Sequence, residues 1–386
     1  MQWRHARALV FVVLTSGVGF LAAREFNTMR EPDHLIPGAG VTRVTTLGEY
    51  HSDLLGASSG TPIYVLEGAE PGATLLVLGG VHPNEASGFL AAVVILEHAT
   101  VTRGRLIVIP QASWGGYTCT DPMEAYPEHY AIPLANGERL FRYGSRGMNP
   151  VDQWPDPLVY LHHPSGQQLS GIETRNLNRC FPGRSDGTYT ERVAYAIMQV
   201  LRTEEVDIAV DLHEAAPEYP VINTIVAHEK GTEIAATAIL NLEFDDLQFT
   251  LERSPVRFRG LSHREWGDAT KAYAFLMETG NIMQGRLRGK TSSELLLTGL
   301  DRMYLKAAAI GMVKIPYDSS GVPLDVRVGR HLQGLRALID AYNDAHPERA
   351  ITVTRLPSFA ECTAEGVGAF LNPPNPEPSS NTGDVP

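Results

Sequence analysis

Three residues in two short segments are of the types that hold a catalytic metal ion. His82 and Glu85 lie three positions apart in GGVHPNEASG, and His213 ends the apolar segment VDIAVDLH. Two imidazoles and one carboxylate are the protein donors of zinc sites that keep a fourth position open for water. By itself, the pair His82 and Glu85 fits a helix start better, with the carboxylate near free backbone N–H groups. His213 favours the metal site, and Asp211 is a candidate partner for its second ring nitrogen.

Glu278 is a candidate general base. It follows the apolar segment AFLM, so a buried strand would carry it to the sheet edge where His213 also lies. A carboxylate in that place, beside a metal-activated water, can have a pKa suited to proton transfer. The alternative is a structural ion pair with an arginine of the following segment QGRLRGK.

The segment ETRNLNRCFPGR concentrates arginine and asparagine. Arg175, Asn176, Asn178 and Arg179 stand close together, and a Pro-Gly pair follows them. This composition is typical of a loop that presents planar guanidinium groups to a carboxylate or a carbonyl. The alternative is a surface loop of ion pairs.

Short apolar runs that alternate with helical patterns predict the elements that position these residues. Predicted strands span 61–68, 73–80, 105–111, 206–213, 219–228 and 271–279, and predicted helices span 84–97 and 190–201. Thr188 and Glu191 have capping-box spacing before the second helix. We therefore expect an α/β fold with a mixed, largely parallel central sheet flanked by helices. Strand ends meet at one sheet edge, which would bring His82, followed by Pro83 as the first helical residue, near His213.

Composition limits the classes of function. The 386 residues, 43% hydrophobic and 20% charged, suit one large folded domain. A formal net charge of -12 argues against nucleic acid or an anionic membrane surface as the partner. Cys119, Cys180 and Cys362 are too few and too scattered for a disulfide framework or a cysteine zinc site. The long segment 115–168 is predicted to form a lid or a wall of the site.

Both ends of the chain differ from its middle. Arg4 and Arg7 precede an uncharged apolar run, which predicts a signal peptide or N-terminal anchor over 1–23 and export to the periplasm or the cell exterior, with release or membrane tethering both open. A linker is predicted over 24–44, a zinc hydrolase domain over 45–320 and a C-terminal extension of that domain over 321–370. Residues 371–386 are dense in Pro, Ser and Asn, which predicts a disordered tail.

Four ordered motifs resemble those of the succinylglutamate desuccinylase/aspartoacylase family, deacylases related to the zinc carboxypeptidases. The motifs are HPNE, NLNRCFPG, DLH and METG, and the likeness spans about 61–289. The resemblance implies a zinc carboxypeptidase-like fold and one Zn²⁺ per chain, bound by His82, Glu85 and His213. It also implies that Glu278 acts as general base and then as general acid.

The same resemblance implies roles for the arginine-rich segment. Asn178 and Arg179 match the family pair that holds a substrate carboxylate, and Arg175 is the candidate for polarising the scissile carbonyl. Asn176 stands where many relatives have Asp, and HPNE stands where many have a glycine after the histidine. These departures concern the substrate more than the metal site.

Three classes of function follow from these residues. The first is a zinc-dependent deacylase that acts on a small, carboxylate-bearing N-acyl amino acid. The second is an exported zinc carboxypeptidase that acts on peptides or cell-wall fragments. The third is a zinc-binding module without activity, which Glu278 disfavours because such a module needs no base beside its metal.

Overall fold

A nine-stranded sheet forms the centre of the structure, a computed structural model that describes residues 2–28, 30–31, 33, 35–56, 60–119 and 126–374. The strands are β1 (Arg43–Thr46), β2 (Pro62–Glu67), β3 (Glu70–Leu78), β4 (Thr100–Ile109), β5 (His129–Leu134), β6 (Gly137–Arg142), β7 (Val159–Leu161), β8 (Gln168–Ser170), β9 (Ile208–Ala215), β10 (Thr224–Ala227), β11 (Thr250–Arg253), β12 (Tyr273–Gly280) and β13 (Thr352–Thr354). In the central sheet the order is β1-β2-β4-β3-β9-β12-β10-β11, and β13 pairs with β4. The remaining strands form two separate two-stranded ribbons, β5-β6 and β7-β8.

The middle of this sheet is parallel and its flanks are mixed. Strands β4, β3, β9 and β12 pair in parallel, whereas β2 and β13 run antiparallel to β4 and β10 runs antiparallel to β12. Every residue of β9 is buried, as expected for a strand covered on both faces. The predicted mixed sheet flanked by helices is therefore confirmed.

Helices cover both faces of the sheet. The helices of the described residues are α1 (Gln2–Thr28), which does not pack on the sheet, α2 (Ala86–His98), α3 (Trp114–Tyr117), α4 (Tyr189–Thr203), α5 (Thr232–Phe244), α6 (Ser262–Ala269), α7 (Ser293–Thr298), α8 (Arg302–Ala309), α9 (Leu324–Ala345) and α10 (Phe359–Glu365). Alternate side chains of β3 enter two different cores: Leu75 and Val77 pack with α2, α5 and α9, while Leu76 and Leu78 pack with α4. This alternation follows from the two-residue period of a strand.

Each of the six predicted strands overlaps an observed strand, and both predicted helices are present. The capping box of Thr188 and Glu191 at the start of α4 is confirmed. The prediction that Pro83 is the first helical residue is wrong, because α2 begins at Ala86 after a turn in which the Glu85 N–H donates to the His82 carbonyl. The segment 115–168, which carried no clear pattern, contains the β5-β6 ribbon and strand β7.

Helix α2 packs directly on the backbone of β9. A Cβ atom at Gly88 would lie 2.3 Å from the carbonyl oxygen of Leu212, so only glycine permits this spacing. The close packing brings the first turn of α2 to the end of β9. It thereby places Glu85 beside His213.

The N-terminal helix α1 stands apart from the core. An 18-residue window of its segment Trp3–Thr28 has a mean hydropathy of 1.9 and contains no buried residue, and among the described helices α1 is the one long and apolar enough to cross a membrane. A signal sequence has the same properties. At the other end, 375–386 of the predicted disordered tail lie outside the described residues.

Candidate metal centre

His82, Glu85 and His213 meet at the carboxyl edge of β3 and β9. One donor atom from each lies within 4.8 Å of the others, and all three residues are buried. The Nδ1 atom of His82 is 2.8 Å from Glu85 Oε1, and Nδ1 of His213 is 2.7 Å from Glu85 Oε2. The two Nδ1 atoms are 3.1 Å apart. These distances make the three residues a possible metal site.

The opposite nitrogen of each imidazole faces an acceptor. His82 Nε2 is 2.9 Å from Asn176 Oδ1, and His213 Nε2 is 2.9 Å from Asp211 Oδ2. Asn176 is oriented because its Nδ2 donates to Glu173 at 2.7 Å. The Asn176 acceptor holds the His82 ring proton on Nε2 and leaves the Nδ1 lone pair for a metal ion, whereas Asp211 lies at ion-pair distance from His213 without a hydrogen bond to its Nε2.

The electrostatics of the cluster call for a cation at its centre. Burial and the charge of Arg146 lower the pKa of His82 to about 4, so this imidazole is neutral. Burial opposes charge on His213 too, but Asp211 and Glu85 raise its pKa well above the ordinary value. Without a metal, the His213 proton balances Glu85, and a metal ion would take that proton's place. The donor set therefore fits a divalent metal.

Glu85 does not cap α2 with its side chain, although it occupies the N-cap position. Its Oε2 accepts from the backbone N–H of Glu214 at 3.0 Å, while both carboxylate oxygens also face the imidazoles. Burial opposes its charge, yet His82 and His213 hold the pKa of Glu85 well below the ordinary value. The capping role that the local sequence favoured is thus replaced by contacts to the histidines.

Glu278 lies on β12 beside the cluster. Its Cα is the register partner of His213 Cα across the parallel pair β12 and β9. The side chain is half-buried and lines the same cavity as the three candidate ligands, and its buried Oε2 has no hydrogen-bond partner among the described residues. Burial raises the pKa of Glu278 above the ordinary value. An unsatisfied buried carboxylate at a cavity wall is suited to exchange a proton with a bound molecule.

The three candidate ligands and Glu278 line a cavity of about 430 Å³. Asn178 and Arg179 line it, as the family resemblance implied. Arg175 is not among the described residues that line it, because its Nε and Nη2 donate to the Asp156 carboxylate at 2.8 and 3.1 Å. Among the described residues, the structure therefore does not bring Arg175 to this cavity.

Arg146 is the arginine that approaches the candidate ligands. It lines the cavity, and its Nη1 lies 3.3 Å from Glu85 Oε1. Arg175 contacts the same loop, since its Nη1 donates to the Met148 carbonyl at 2.8 Å and its own carbonyl accepts from Met148 N–H at 2.8 Å. Arg175 thus positions the loop of Arg146. No sequence pattern distinguishes Arg146 from other arginines in 115–168.

Asn178 and Arg179 form one side of the cavity. The Asn178 side chain is fixed because its Oδ1 accepts from the Ser262 backbone N–H at 2.8 Å. The Arg179 guanidinium lies over the Phe258 ring, 4.9 Å from its centroid, and Nη1 donates to the Asn178 carbonyl at 2.7 Å. Glu173 is 3.7 Å from Arg179 Nε. These contacts hold the guanidinium at the cavity with further donors available to a ligand.

The rest of the lining combines apolar and polar residues. Its apolar members are Ala215, Val221, Val226, Pro255, Phe258, Leu261 and Leu276. Glu214, Tyr219 and His263 also line it. Arg264 does not reach it and pairs with Glu229 at 2.7 Å. Gln284, which no motif predicted, lies with its Nε2 3.4 Å from Glu85 Oε1.

One family profile matches a segment of the chain. Residues 162–298 match the profile described as the succinylglutamate desuccinylase/aspartoacylase catalytic domain. The predicted family resemblance is confirmed. The matched segment contains His213 and Glu278, whereas His82 and Glu85 precede it. Hydrolysis of amide bonds is the activity that this family implies.

Solved structures give weaker likenesses. The chain is similar to a succinylglutamate desuccinylase from Silicibacter sp. TM1040, with 19% identity, coverage of 60% of this chain and 57% of that chain, and a TM-score of 0.37. The ectoine utilization protein EutE (DoeB) from Ruegeria pomeroyi is 21% identical, with coverage of 58% of this chain and 55% of that chain and a TM-score of 0.37. The apo cell shape determinant protein Csd4 from Helicobacter pylori is 15% identical, with coverage of 78% of this chain and 58% of that chain and a TM-score of 0.44. The chain spans less than two thirds of each of these proteins, and no curated protein gives a significant match.

Proposed function

We propose that the protein is a zinc-dependent amide hydrolase of the N-acyl amino acid deacylase type. The observation that carries this proposal is the meeting of His82, Glu85 and His213 within 4.8 Å, with Glu278 on the adjacent strand of the same cavity. Two histidines and a carboxylate are the ligands of hydrolytic zinc sites, and a nearby carboxylate supplies the proton transfers.

The metal ion and the residues of the chain have separate roles in the proposed reaction. One Zn²⁺ ion per chain, held by His82, Glu85 and His213, would supply Lewis acidity that activates a water molecule and polarises the scissile carbonyl. Glu278 accepts a proton from the attacking water and later delivers it to the leaving amine nitrogen as the carbon-nitrogen bond breaks. A pKa raised by burial makes its carboxylate a stronger base than an exposed one.

Arg146 takes the role at the carbonyl oxygen that the resemblance assigned to Arg175. Its guanidinium lines the cavity beside Glu85, so it can donate to the oxygen that gains negative charge as water adds. Arg175 supports this role from outside, because it is fixed on Asp156 and contacts the loop at Met148. In this proposal Arg146 contacts the substrate, and Arg175 positions the loop that carries Arg146.

Asn178 and Arg179 bind a substrate carboxylate. The mostly buried Arg179 lies over Phe258 and faces the cavity. Burying a guanidinium group costs free energy unless a carboxylate pairs with it. This cost favours anionic substrates over neutral or cationic ones. The substrate is therefore a small N-acyl amino acid with a carboxylate near the scissile amide.

An exported zinc carboxypeptidase acting on peptides or cell-wall fragments is the second candidate. The observation that favours it is a further cavity of about 520 Å³ that shares lining residues with the metal cavity and leaves room for a longer substrate. The apolar exposed helix α1 supports export to the periplasm or the cell exterior, with either cleavage or anchoring of the N-terminus.

One experiment tests the proposal and separates the two candidates. Purified zinc-loaded protein is assayed against N-acyl amino acids and against dipeptides and tripeptides of matched charge, with Glu278→Gln as the inactive control. We expect hydrolysis of the N-acyl amino acids that depends on Glu278. Preference for peptides would support the carboxypeptidase, and stoichiometric zinc without hydrolysis of any member would refute both.

A further inference from the structure

The backbone carbonyl of Asn84 accepts hydrogen bonds from distant segments of the chain. Its oxygen accepts from the Tyr143 hydroxyl at 2.9 Å and from Asn281 Nδ2 at 3.0 Å. Gln284 Nε2 is farther away, at 3.5 Å. A carbonyl oxygen has two lone pairs, so the two shorter bonds use its accepting capacity. Tyr143 and Asn281 are both buried, and water therefore has no access to replace either donor.

This carbonyl belongs to the peptide that joins Asn84 to Glu85. The N–H of the same peptide donates to the His82 carbonyl at 3.0 Å. Because a peptide group is planar, donors that fix its carbonyl also fix its N–H and the Cα of the next residue. The orientation of this one peptide therefore sets how the candidate ligands His82 and Glu85 face each other.

The side chains of the turn do not hold it from within. Asn84 Oδ1 has no hydrogen-bond partner among the described residues, and the Glu85 side chain does not cap α2. The Glu85 carboxylate instead faces the two histidines and the Glu214 N–H. The turn therefore depends on donors from elsewhere in the chain.

Asn281 connects the turn to strands β9 and β12. It directly follows β12, and its N–H donates at 2.8 Å to the carbonyl of Ala215, the last residue of β9. Its Oδ1 accepts from the Met283 N–H at 2.8 Å, which directs Nδ2 towards the Asn84 carbonyl. An amide suits this place because one side chain must accept from one backbone group and donate to another. A single side chain thus links the ends of both strands to the turn.

Tyr143 connects the turn to the loop of Arg146. The next residue, Gly144, packs against the turn: its N–H donates to the Pro83 carbonyl at 3.4 Å, and a Cβ atom there would lie 2.6 Å from Pro83 Cβ. Burial raises the pKa of Tyr143, so its hydroxyl stays protonated and donates. The arginine loop is thereby joined to the peptide that precedes Glu85.

We propose that Asn281 and Tyr143 are positioning residues of the metal centre, which hold Glu85 in place through the Asn84 carbonyl. The proposal rests on the proposed function and deepens it. A ligand whose backbone is fixed before the ion arrives loses less conformational entropy on binding. Neither Asn281 nor Tyr143 is among the described residues that line the metal cavity, so both act through Glu85 and not on the substrate.

The zinc affinity of the full chain, measured by competition with a chromogenic chelator, tests the proposal. We expect Asn281→Ala to weaken the affinity about 10-fold or more, as loss of a group that orients a metal ligand does. Tyr143→Phe removes only a hydroxyl, so it tests the same carbonyl with little risk to folding, and it should also weaken the affinity. The loss in the double variant should differ from the product of the two single losses, because both donors act on one oxygen.

Asn343→Ala and Tyr317→Phe are the matched controls. Asn343 Nδ2 donates to the Ile351 carbonyl at 2.8 Å and its Oδ1 accepts from the Ile351 N–H at 2.9 Å, while the Tyr317 hydroxyl donates to the Gly299 carbonyl at 2.8 Å. Neither control residue lines the metal cavity. Both controls should lower the melting temperature of the metal-free protein and leave its zinc affinity unchanged, which separates loss of stability from loss of positioning.

The affinity measurement needs no substrate, so it is independent of hydrolysis. Weaker zinc binding in Asn281→Ala and Tyr143→Phe, with unchanged binding in the controls, supports the positioning roles even if no amide is hydrolysed. Affinities equal to that of the unmodified protein would overturn these roles and leave the proposed hydrolysis intact. Single losses that multiply in the double variant would overturn the shared action through the Asn84 carbonyl.

Discussion

Glu278 and His213 are register partners across the parallel strands β12 and β9. The strand pairing therefore sets the distance between the candidate base and a candidate metal ligand. Because β9 is fully buried, β12 is mostly buried and the two strands pair over eight consecutive residues, neither residue can shift along the sheet without loss of the register. The catalytic proposal thus depends on sheet geometry more than on the mobility of loops.

Substitution Glu278→Gln should separate metal binding from hydrolysis. The amide keeps the shape of the side chain but cannot take a proton from water, so turnover should fall about 10²- to 10⁴-fold. Zinc content, measured by atomic emission, should equal that of the unmodified protein. A variant that retains full turnover would remove Glu278 from the mechanism.

The pH dependence of hydrolysis should reflect the environment of Glu278. The base acts in its ionised form, so activity is lost as pH falls through its pKa. Since burial raises that pKa, the acidic limb of kcat/KM should lie above 4.5, the ordinary value for glutamate. A pH profile between 4 and 9 on the preferred substrate gives the measurement, and a limb at or below 4.5 would contradict the expectation.

Loss of one imidazole should abolish the metal site. We expect about one zinc per chain in the unmodified protein and none in His213→Ala after dialysis. His163→Ala is the matched control, because His163 is exposed and belongs to neither the cluster nor the cavity. Equal zinc content in His213→Ala and the unmodified protein would refute the proposed ligand set.

Asn176 should affect the metal through His82. Its Oδ1 faces His82 Nε2 at 2.9 Å, so Asn176→Ala should weaken zinc affinity about 10- to 100-fold by releasing the ring orientation. Asn176→Asp restores an acceptor in the same place and should restore affinity. Competition with a chromogenic chelator measures both variants, and equal affinities in Asn176→Ala and the unmodified protein would argue against this role.

Substitutions of Arg146 and of Arg175 should differ in whether added guanidinium ion restores the lost activity. Arg146→Ala removes a donor to the carbonyl oxygen, so kcat should fall about 10²- to 10³-fold and added guanidinium ion should restore part of it. Arg175→Ala loosens the loop at Met148, and the same ion should restore little. The two rescue curves are measured at one substrate concentration, and identical rescue would contradict the division of roles.

The positions of three candidate site residues could be predicted because each lies at or just after the end of a long apolar run. His213 and Glu278 lie near the carboxyl ends of β9 and β12, and His82 follows β3, so parallel pairing alone brings them together. The local preference of Glu85 for a capping role was misleading, because a cap needs only its own helix whereas the observed contacts need another strand. Such long-range contacts are not encoded in local spacing.

The arginines show where sequence patterns stop being informative. Arg175 and Arg146 both lie outside the central sheet, and no periodicity identifies the partners that orient them, which are Asp156 and Met148 for Arg175 and Glu85 for Arg146. Family resemblance placed Arg175 at the carbonyl by position in a motif. The ion pair with Asp156 redirects it, and only the folded chain reveals that Arg146 takes the place beside Glu85.

The adjacency of β3 and β9 has a consequence for the order of folding. The contact between Glu85 and His213 joins residues 128 positions apart, so the metal site cannot form before these distant strands pair. Long-range pairing of this kind is a slow step of folding. A metal ion would therefore bind only after that step, so it would slow unfolding without accelerating folding. The time at which the metal binds during refolding would report when β3 and β9 pair.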